Sequence, residues 1–337
     1  MGSHLCSFFD LKAEGSLFTP YDSRLEVLRL YENQLTAIPD DIFEKLSNLK
    51  EIALQNNKIT AISTHLFPHK NKLSKILLDN NILTELPPEI FLHNLQVLRL
   101  YENQLTAIPD DIFKNLSSLK EIALQSKKIN AISAKWFPHK NKLSKILLDN
   151  NILTELPPEI FVGFPLLKTL TLNGNKLASL PPVLFGEMPK LTELSLSRNS
   201  LTSLPQGVFS PLKKLRKLDL SNNQLLAVSG ESFEGLEKLT ELNLQYNQIK
   251  SLKANTFEKL TSLTTLKLAH NSLGTLPEDI FDPLPKLSKV YLNNNNWMKA
   301  NPGKIKSMSP EICNHLNSSG HGLYKVSKAF HRDAGPR

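Results

Sequence analysis

The chain has 337 residues, of which 40% are hydrophobic and 21% charged, and its formal net charge is +8. No stretch approaches the roughly 18 uninterrupted apolar residues of a transmembrane helix, and two cysteines are too few for a disulfide-stapled domain. Glycine occurs only 13 times, and motifs such as GxSxG, HExxH and GxGxxG are absent. We therefore expect no enzyme and no cofactor.

One pattern, LxxLxLxxNxLxxLPxxxFxxLxx, recurs along the chain with a usual period of 24 residues. A period of this length predicts a solenoid, in which each unit buries its apolar face by stacking on its neighbours. Residues 1–24 are predicted to form an N-terminal cap, residues 25–286 eleven repeats, and residues 287–337 a partial twelfth repeat and a basic C-terminal cap or tail. The opening letters MGSH resemble a tag remnant, so the lack of a secretory signal carries no weight.

Each repeat predicts the same elements in the same order. The LxxLxL segment alternates apolar and polar residues and predicts a short strand, which pairs in parallel with the strand of the next repeat. The asparagine that follows is expected to satisfy buried backbone groups in the turn, although Lys127 replaces it in the fifth repeat. The last segment returns along the other side, and its phenylalanine, from Phe43 to Phe281, is expected to stack into a buried spine.

A block of three repeats occurs twice. Residues 25–91 and 95–161 align without gaps and differ at only ten of 67 positions. The third repeat, residues 73–94, has 22 residues instead of 24, and we expect a local change of curvature there.

The 24-residue period with its phenylalanine column resembles the typical leucine-rich repeat subfamily, which includes Toll-like receptors, Slit-type proteins, lamprey variable lymphocyte receptors and the regulatory subunit of carboxypeptidase N. The resemblance covers residues 25–297. It implies an α/β solenoid curved into a horseshoe, with a parallel β-sheet on the concave face and an irregular or short-helical convex side. It also implies a non-catalytic protein that binds a protein partner, as a secreted receptor of innate immunity, a regulatory subunit or an inhibitor.

Side chains between the inward leucines are expected to point out of the concave face. Exposed tyrosine and arginine are favoured binding anchors, and an outward leucine is unusual for a solvated surface. The alternative is that these side chains simply pack on one another across the strands. The residues predicted to contact a partner are Arg29, Tyr31, Glu32, Leu77, Arg99, Tyr101, Glu102, Leu147 and Tyr246.

Several features leave the compartment open. The two cysteines, Cys6 and Cys313, lie near opposite ends of the chain, where a single bridge between them would need the two ends to meet. Extracellular relatives usually carry cysteine clusters at both ends, so an intracellular scaffold or adaptor is an alternative to a secreted protein, as is one repeat domain of a larger enzyme or receptor. Glycosylation triplets at Asn115 and Asn317 could carry a glycan, although two are close to chance.

The C-terminal residues 298–337 carry a net charge of +5, from seven basic and two acidic residues. We interpret them as a solvated end rather than a nucleic-acid site, because no aromatic residues are interleaved with a basic groove. The spacing of Cys313, His315, His321 and His331 matches no zinc motif, so no metal site is predicted.

Overall fold

The structure, a computed structural model, describes residues 23–87, 90–91, 93–125, 128–277, 279–297 and the backbone of residues 324–325. The chain divides into two compact units, Met1–Lys176 and Leu177–Arg337. Each unit is a leucine-rich repeat solenoid with a parallel sheet, as the periodicity predicts.

The first unit contains a sheet of parallel three-residue strands. Each strand pairs with the strand of the next repeat at equivalent positions, so that Leu28 is opposite Ile52 and Ile52 is opposite Ile76. The middle residue of each strand is buried, and most of its neighbours are more exposed, which is the alternation that LxxLxL encodes. Ala53, Leu77 and Ala123 are buried as well. The strands are β1 (Val27–Arg29), β2 (Glu51–Ala53), β3 (Lys75–Leu77), β4 (Val97–Arg99), β5 (Glu121–Ala123), β6 (Lys145–Leu147) and β7 (Thr169–Thr171).

The second unit repeats this arrangement. Its parallel strands are β8 (Glu193–Ser195), β9 (Lys217–Asp219), β10 (Glu241–Asn243), β11 (Thr265–Lys267) and β12 (Lys289–Tyr291). A two-residue strand, β13 (Tyr324–Lys325), pairs antiparallel with β12. Trp297 is buried after the last parallel strand, and its indole N–H donates to the Leu292 carbonyl at 2.9 Å.

An asparagine ladder follows the strands, as predicted. The side-chain amide of Asn57 donates to the carbonyls of Leu30 at 2.9 Å and Leu54 at 3.0 Å, and its oxygen accepts from the N–H of Leu35 at 3.1 Å. One side chain thus satisfies backbone groups of two neighbouring repeats, where a buried unpaired group would cost about 1–3 kcal/mol. Lys127, the predicted interruption of this ladder, lies outside the described residues.

The shortened third repeat keeps the ladder. Asn103 donates to the Leu78 carbonyl at 2.9 Å and accepts from the Leu83 N–H at 3.0 Å, with partners 25 and 20 residues away instead of 27 and 22. The two-residue deletion is therefore absorbed in the return segment. The expected change of curvature at this repeat stays a prediction.

The return segments contain turns and short 3-10 helices around the phenylalanine spine. These helices are Lys70–Lys72, Ala134–Trp136, Lys140–Lys142 and Gly230–Phe233. Rings of successive repeats pack together, as in Phe43–Phe67, whose centroids are 5.9 Å apart. Most of the column is fully buried, which confirms the predicted spine, whereas Phe281 keeps partial exposure.

Candidate functional site

The side chains at positions three, five, seven and eight of each repeat, counted from its first leucine, form the strand surface. In the first repeat Arg29 is exposed and makes no ion pair with the described residues, while Tyr31 is half-buried and Glu32 is exposed. Val27 beside them is 39% exposed. This end of the strand surface therefore offers an unengaged guanidinium next to apolar area.

The copied block presents the same residues with a different pairing. The Nε of Arg99 lies 2.9 Å from the Glu121 carboxylate, and Lys145 lies 3.5 Å from the same carboxylate. In the first block Glu51, the counterpart of Glu121, pairs with Lys75 at 3.1 Å. The guanidinium of Arg99 is thus held in place, because a carboxylate in the neighbouring strand accepts its hydrogen bond.

Tyr101 lies beside the carboxyl group of Asp79 in the preceding repeat. Burial raises the pKa of Asp79, and hydrogen bonding to Tyr101 and the charge of Arg99 offset only part of that effect. Burial also raises the pKa of Tyr101, and its hydrogen bond to Asp79 raises it further. Arg99 is therefore held by a carboxylate of the following repeat, and Tyr101 lies next to a carboxyl group of the preceding one.

Position seven also contains unpaired acceptors. The side-chain oxygens Oε1 of Gln55, Oδ1 of Asp79 and Oε1 of Gln125 are buried and have no hydrogen-bond partner among the described residues. Exchanging the O and N atoms of either glutamine amide would turn an acceptor into a donor. Position seven is therefore the position on the strand surface of the first unit where buried side-chain atoms without a hydrogen-bond partner are concentrated.

The expectation that Leu77 points outward as an exposed apolar residue is wrong. Leu77 is only 7% exposed, because it lies on the sheet between Ala53 and Arg99, which are its neighbours in register. Leu147, its copy, has Ala123 and Thr171 as neighbours and is half-buried. Of the two predicted leucines, only Leu147 leaves appreciable apolar area for a partner.

Position eight has a backbone constraint that the sequence analysis missed. Glu32, Glu102 and Tyr246 all have a positive φ, at 57°, 52° and 56°. Asparagine and glycine tolerate this left-handed conformation, whereas other residues lose about 1–2 kcal/mol in it. Part of the signal was present in the sequence, because six other repeats with a positive φ at position eight have asparagine or glycine there, although two more have Arg198 and His270. The six are Asn56, Asn80, Asn150, Gly174, Asn222 and Asn294.

Tyr246 belongs to the second unit and is 49% exposed. Its ring stacks on His270 of the next repeat, with centroids 4.1 Å apart and ring planes within 11°. The side-chain amide nitrogen of Asn294 also donates to the Nε2 of His270 at 2.9 Å. The structure therefore places Tyr246 in an aromatic stack of the second unit, whereas the other predicted residues lie in the first.

Of the remaining predicted sites, one lies in the described part of the chain and the others lie outside it. Asn115 is half-buried in a turn of the fourth repeat. Asn317 and the Cys313–His331 set lie outside the described residues. Within the described ranges, no cluster of three or more histidine, cysteine or acidic residues could hold a metal ion, and no helix is long and apolar enough to cross a membrane.

The comparison with protein families agrees with this geometry. The leucine rich repeat model matches residues 23–83, 93–151, 141–201, 189–249 and 238–296, which together are most of the chain. The chain therefore belongs to the leucine-rich repeat family. No curated protein sequence is similar enough to count as a relative.

Several solved structures are similar to this chain. The Toll receptor in the Drosophila Toll–Spätzle complex is 28% identical with a TM-score of 0.72, and the match covers 80% of this chain but 36% of the Toll chain. A leucine-rich repeat protein of Leptospira interrogans is 31% identical with a TM-score of 0.61, covering 80% of this chain and 72% of its own. An internalin from Listeria monocytogenes, 22% identical with a TM-score of 0.63, covers 82% and 76% and shows the fold alone.

Proposed function

We propose that this chain is a recognition protein that binds a protein partner through the strand surface of its first unit, which a horseshoe would present as its concave face. The observation that carries the proposal is the ion pair that holds the Arg99 guanidinium against Glu121, in the same repeat as the half-buried Tyr101. Side chains that are ordered before binding lose less conformational entropy on binding. Arginine and tyrosine are also the residue types that most often dominate interface energy.

The predicted contact residues have graded roles in this proposal. Arg99 and Tyr101 form the pre-ordered centre, and Glu102 extends it. Arg29, Tyr31 and Glu32 are its copy in the first repeat, where the exposed guanidinium of Arg29 suits an acidic group of the partner. Leu147 adds apolar area and Leu77 supports the surface from below.

The protein acts outside the cell in this proposal, as a soluble receptor, regulatory subunit or inhibitor. The support comes from the similarity to Toll, whose solved complex with Spätzle is a molecular hub in Drosophila development and innate immunity. The chain spans only 36% of that receptor. The Leptospira and Listeria neighbours share the fold without indicating the same setting, so the compartment needs its own measurement.

The test is affinity capture from extracellular fluid and, separately, from cell lysate of the source organism, with bound proteins quantified by mass spectrometry. The baits are wild type, Tyr101→Ala, Tyr31→Ala and a control, Val183→Ser, which removes an apolar side chain that is 54% exposed outside the strand surface. We expect one partner to bind wild type and the control, to be lost from the Tyr101 variant and to be weakened by the Tyr31 variant.

The source that yields this partner, extracellular fluid or cell lysate, identifies the compartment. A partner that binds all four baits equally would place the contact away from the strand surface of the first unit and refute the proposal. Circular dichroism of each bait excludes unfolding as the cause of a loss.

A further inference from the structure

A basic segment at the start of β9 has no role in the strand surface just described. Residues 213–217 read KKLRK, and the four basic side chains are all exposed while Leu215 is buried. A dense run of lysine and arginine of this kind is typical of sites for polyanions.

The basic side chains extend across neighbouring repeats. Lys190, Lys214 and Lys238 each directly precede the first leucine of a repeat, and all three are exposed. The strands that follow them, β8, β9 and β10, are paired in parallel and in register. Neighbouring strands are spaced about 4.8 Å apart, so these lysines form a row at the edge where the strands begin.

The row has no carboxylate partner. Lys217 pairs with Glu193 at 2.8 Å, so its charge is already balanced by a carboxylate. Among the described residues, none of the other cations makes an ion pair; we call them the basic edge, which consists of Lys190, Lys213, Lys214, Arg216 and Lys238. Exposed acidic residues nearby, Glu187 and Glu237, are not paired with any of them either.

Two members of the basic edge occupy equivalent positions of neighbouring repeats, Lys214 before β9 and Lys238 before β10. Hydrogen bonding with Lys214 and the charge of Lys214 lower the pKa of Lys238, and desolvation and the charge of Arg216 lower it further. Neighbouring like charges disfavour each other's charged form. An anion bound along the row would relieve this repulsion.

We propose that the basic edge binds a linear sulfated polysaccharide. A protein partner fits less well, because interface cores are depleted in lysine and rich in aromatic residues, and the segments that carry the basic edge, residues 186–193, 210–217 and 234–241, contain no aromatic residue. A single-stranded nucleic acid would need such rings for base stacking. A membrane surface would use apolar side chains as anchors, but Leu212 and Leu215, which flank Lys213 and Lys214, are buried.

The experiment measures binding of the full chain to heparin, to chemically desulfated heparin and to double-stranded DNA of similar length, at about 0.15 M and higher salt. The test variant carries Lys190→Gln, Lys214→Gln, Arg216→Gln and Lys238→Gln. Two control variants remove the same number of charges elsewhere. One replaces the exposed lysines Lys168, Lys176, Lys250 and Lys253 of the repeats. The other replaces Lys304, Lys306, Lys325 and Lys328 of the C-terminal segment.

We expect wild type and both controls to bind heparin, and the test variant to lose about tenfold or more in affinity with a shallower salt dependence. Desulfated heparin and DNA should bind more weakly than heparin. An equal loss in a control variant would mean that net charge alone governs binding and would overturn the proposal. Equal affinity for desulfated heparin or for DNA would overturn the choice of ligand, and no binding to heparin at about 0.15 M salt would overturn the site itself.

Discussion

Replacing an interior asparagine of the ladder with alanine should cost more than replacing the first one. Asn223 is 7% exposed; its amide donates to the carbonyls of Leu196 and Leu220, both at 3.0 Å, and its oxygen accepts from the Leu201 N–H at 3.0 Å. In Asn223→Ala the two carbonyls keep the amides of Asn199 and Asn247 as donors, but the Leu201 N–H is left buried and unpaired. Because a buried donor without a partner costs about 1–3 kcal/mol, Asn223→Ala should lower the free energy of unfolding by about 2 kcal/mol.

Asn33 serves as the matched control. It is only half-buried and, among the described residues, its amide bonds the carbonyls of Leu30 and Tyr31 within its own repeat. Asn33→Ala should therefore cost about 1 kcal/mol.

Urea denaturation followed by far-UV circular dichroism measures both losses. Amide exchange at Leu201, which loses its acceptor in Asn223→Ala, adds a local reading that does not depend on two-state unfolding. Equal losses in the two variants, or unchanged exchange at Leu201, would refute the claim that the ladder joins neighbouring repeats.

Further predictions concern other parts of the chain. Burial raises the pKa of Asp79, so the folded state favours the neutral acid, and ionisation destabilises the folded state as the pH rises above the ordinary pKa of 3.8. Asp79→Asn should therefore raise the urea midpoint at pH 7 but not at pH 3. The same substitution at the half-buried copy, Asp149, should give no such gain. Arg198 has a φ of 54°, so Arg198→Asn should add about 0.5–1 kcal/mol to the free energy of unfolding. Lys127→Asn should add about 0.5–1.5 kcal/mol by completing the ladder, and an unchanged thermal midpoint would contradict either claim.

The sequence predicts the fold well because every repeat has the same residue types that must be buried or hydrogen-bonded at the same positions. A leucine at the middle of a strand, such as Leu28, has to be buried, and an asparagine such as Asn57 has to satisfy turn groups. Repetition also fixes the partner of each strand, because the neighbour in sequence is the neighbour in the sheet. Strand pairing, which is non-local in most folds, thereby becomes a local property.

The candidate site was less predictable, because it depends on side-chain choices between repeats. The exposure of Leu77 depends on its neighbours in register, Ala53 and Arg99, which the alternation of residues within one strand does not encode. Glu121 pairs with Arg99 as well as with Lys145, whereas its copy Glu51 pairs with Lys75, although the copied residues are identical. Periodicity gives the face on which a residue lies, and packing against unequal neighbours decides its partners.

The bonding of the shortened third repeat has a consequence for how such a chain changes over generations. Asn103 finds its partners although two residues are missing from the preceding return segment. A deletion in a return segment is therefore tolerated, and a copied repeat carries its own strand and return segment with it. A gene for this protein can lengthen by unequal recombination without losing the stability of its product. The two nearly identical blocks, which share every residue at positions three, five and seven, are one such step, after which each copy can acquire a ligand of its own.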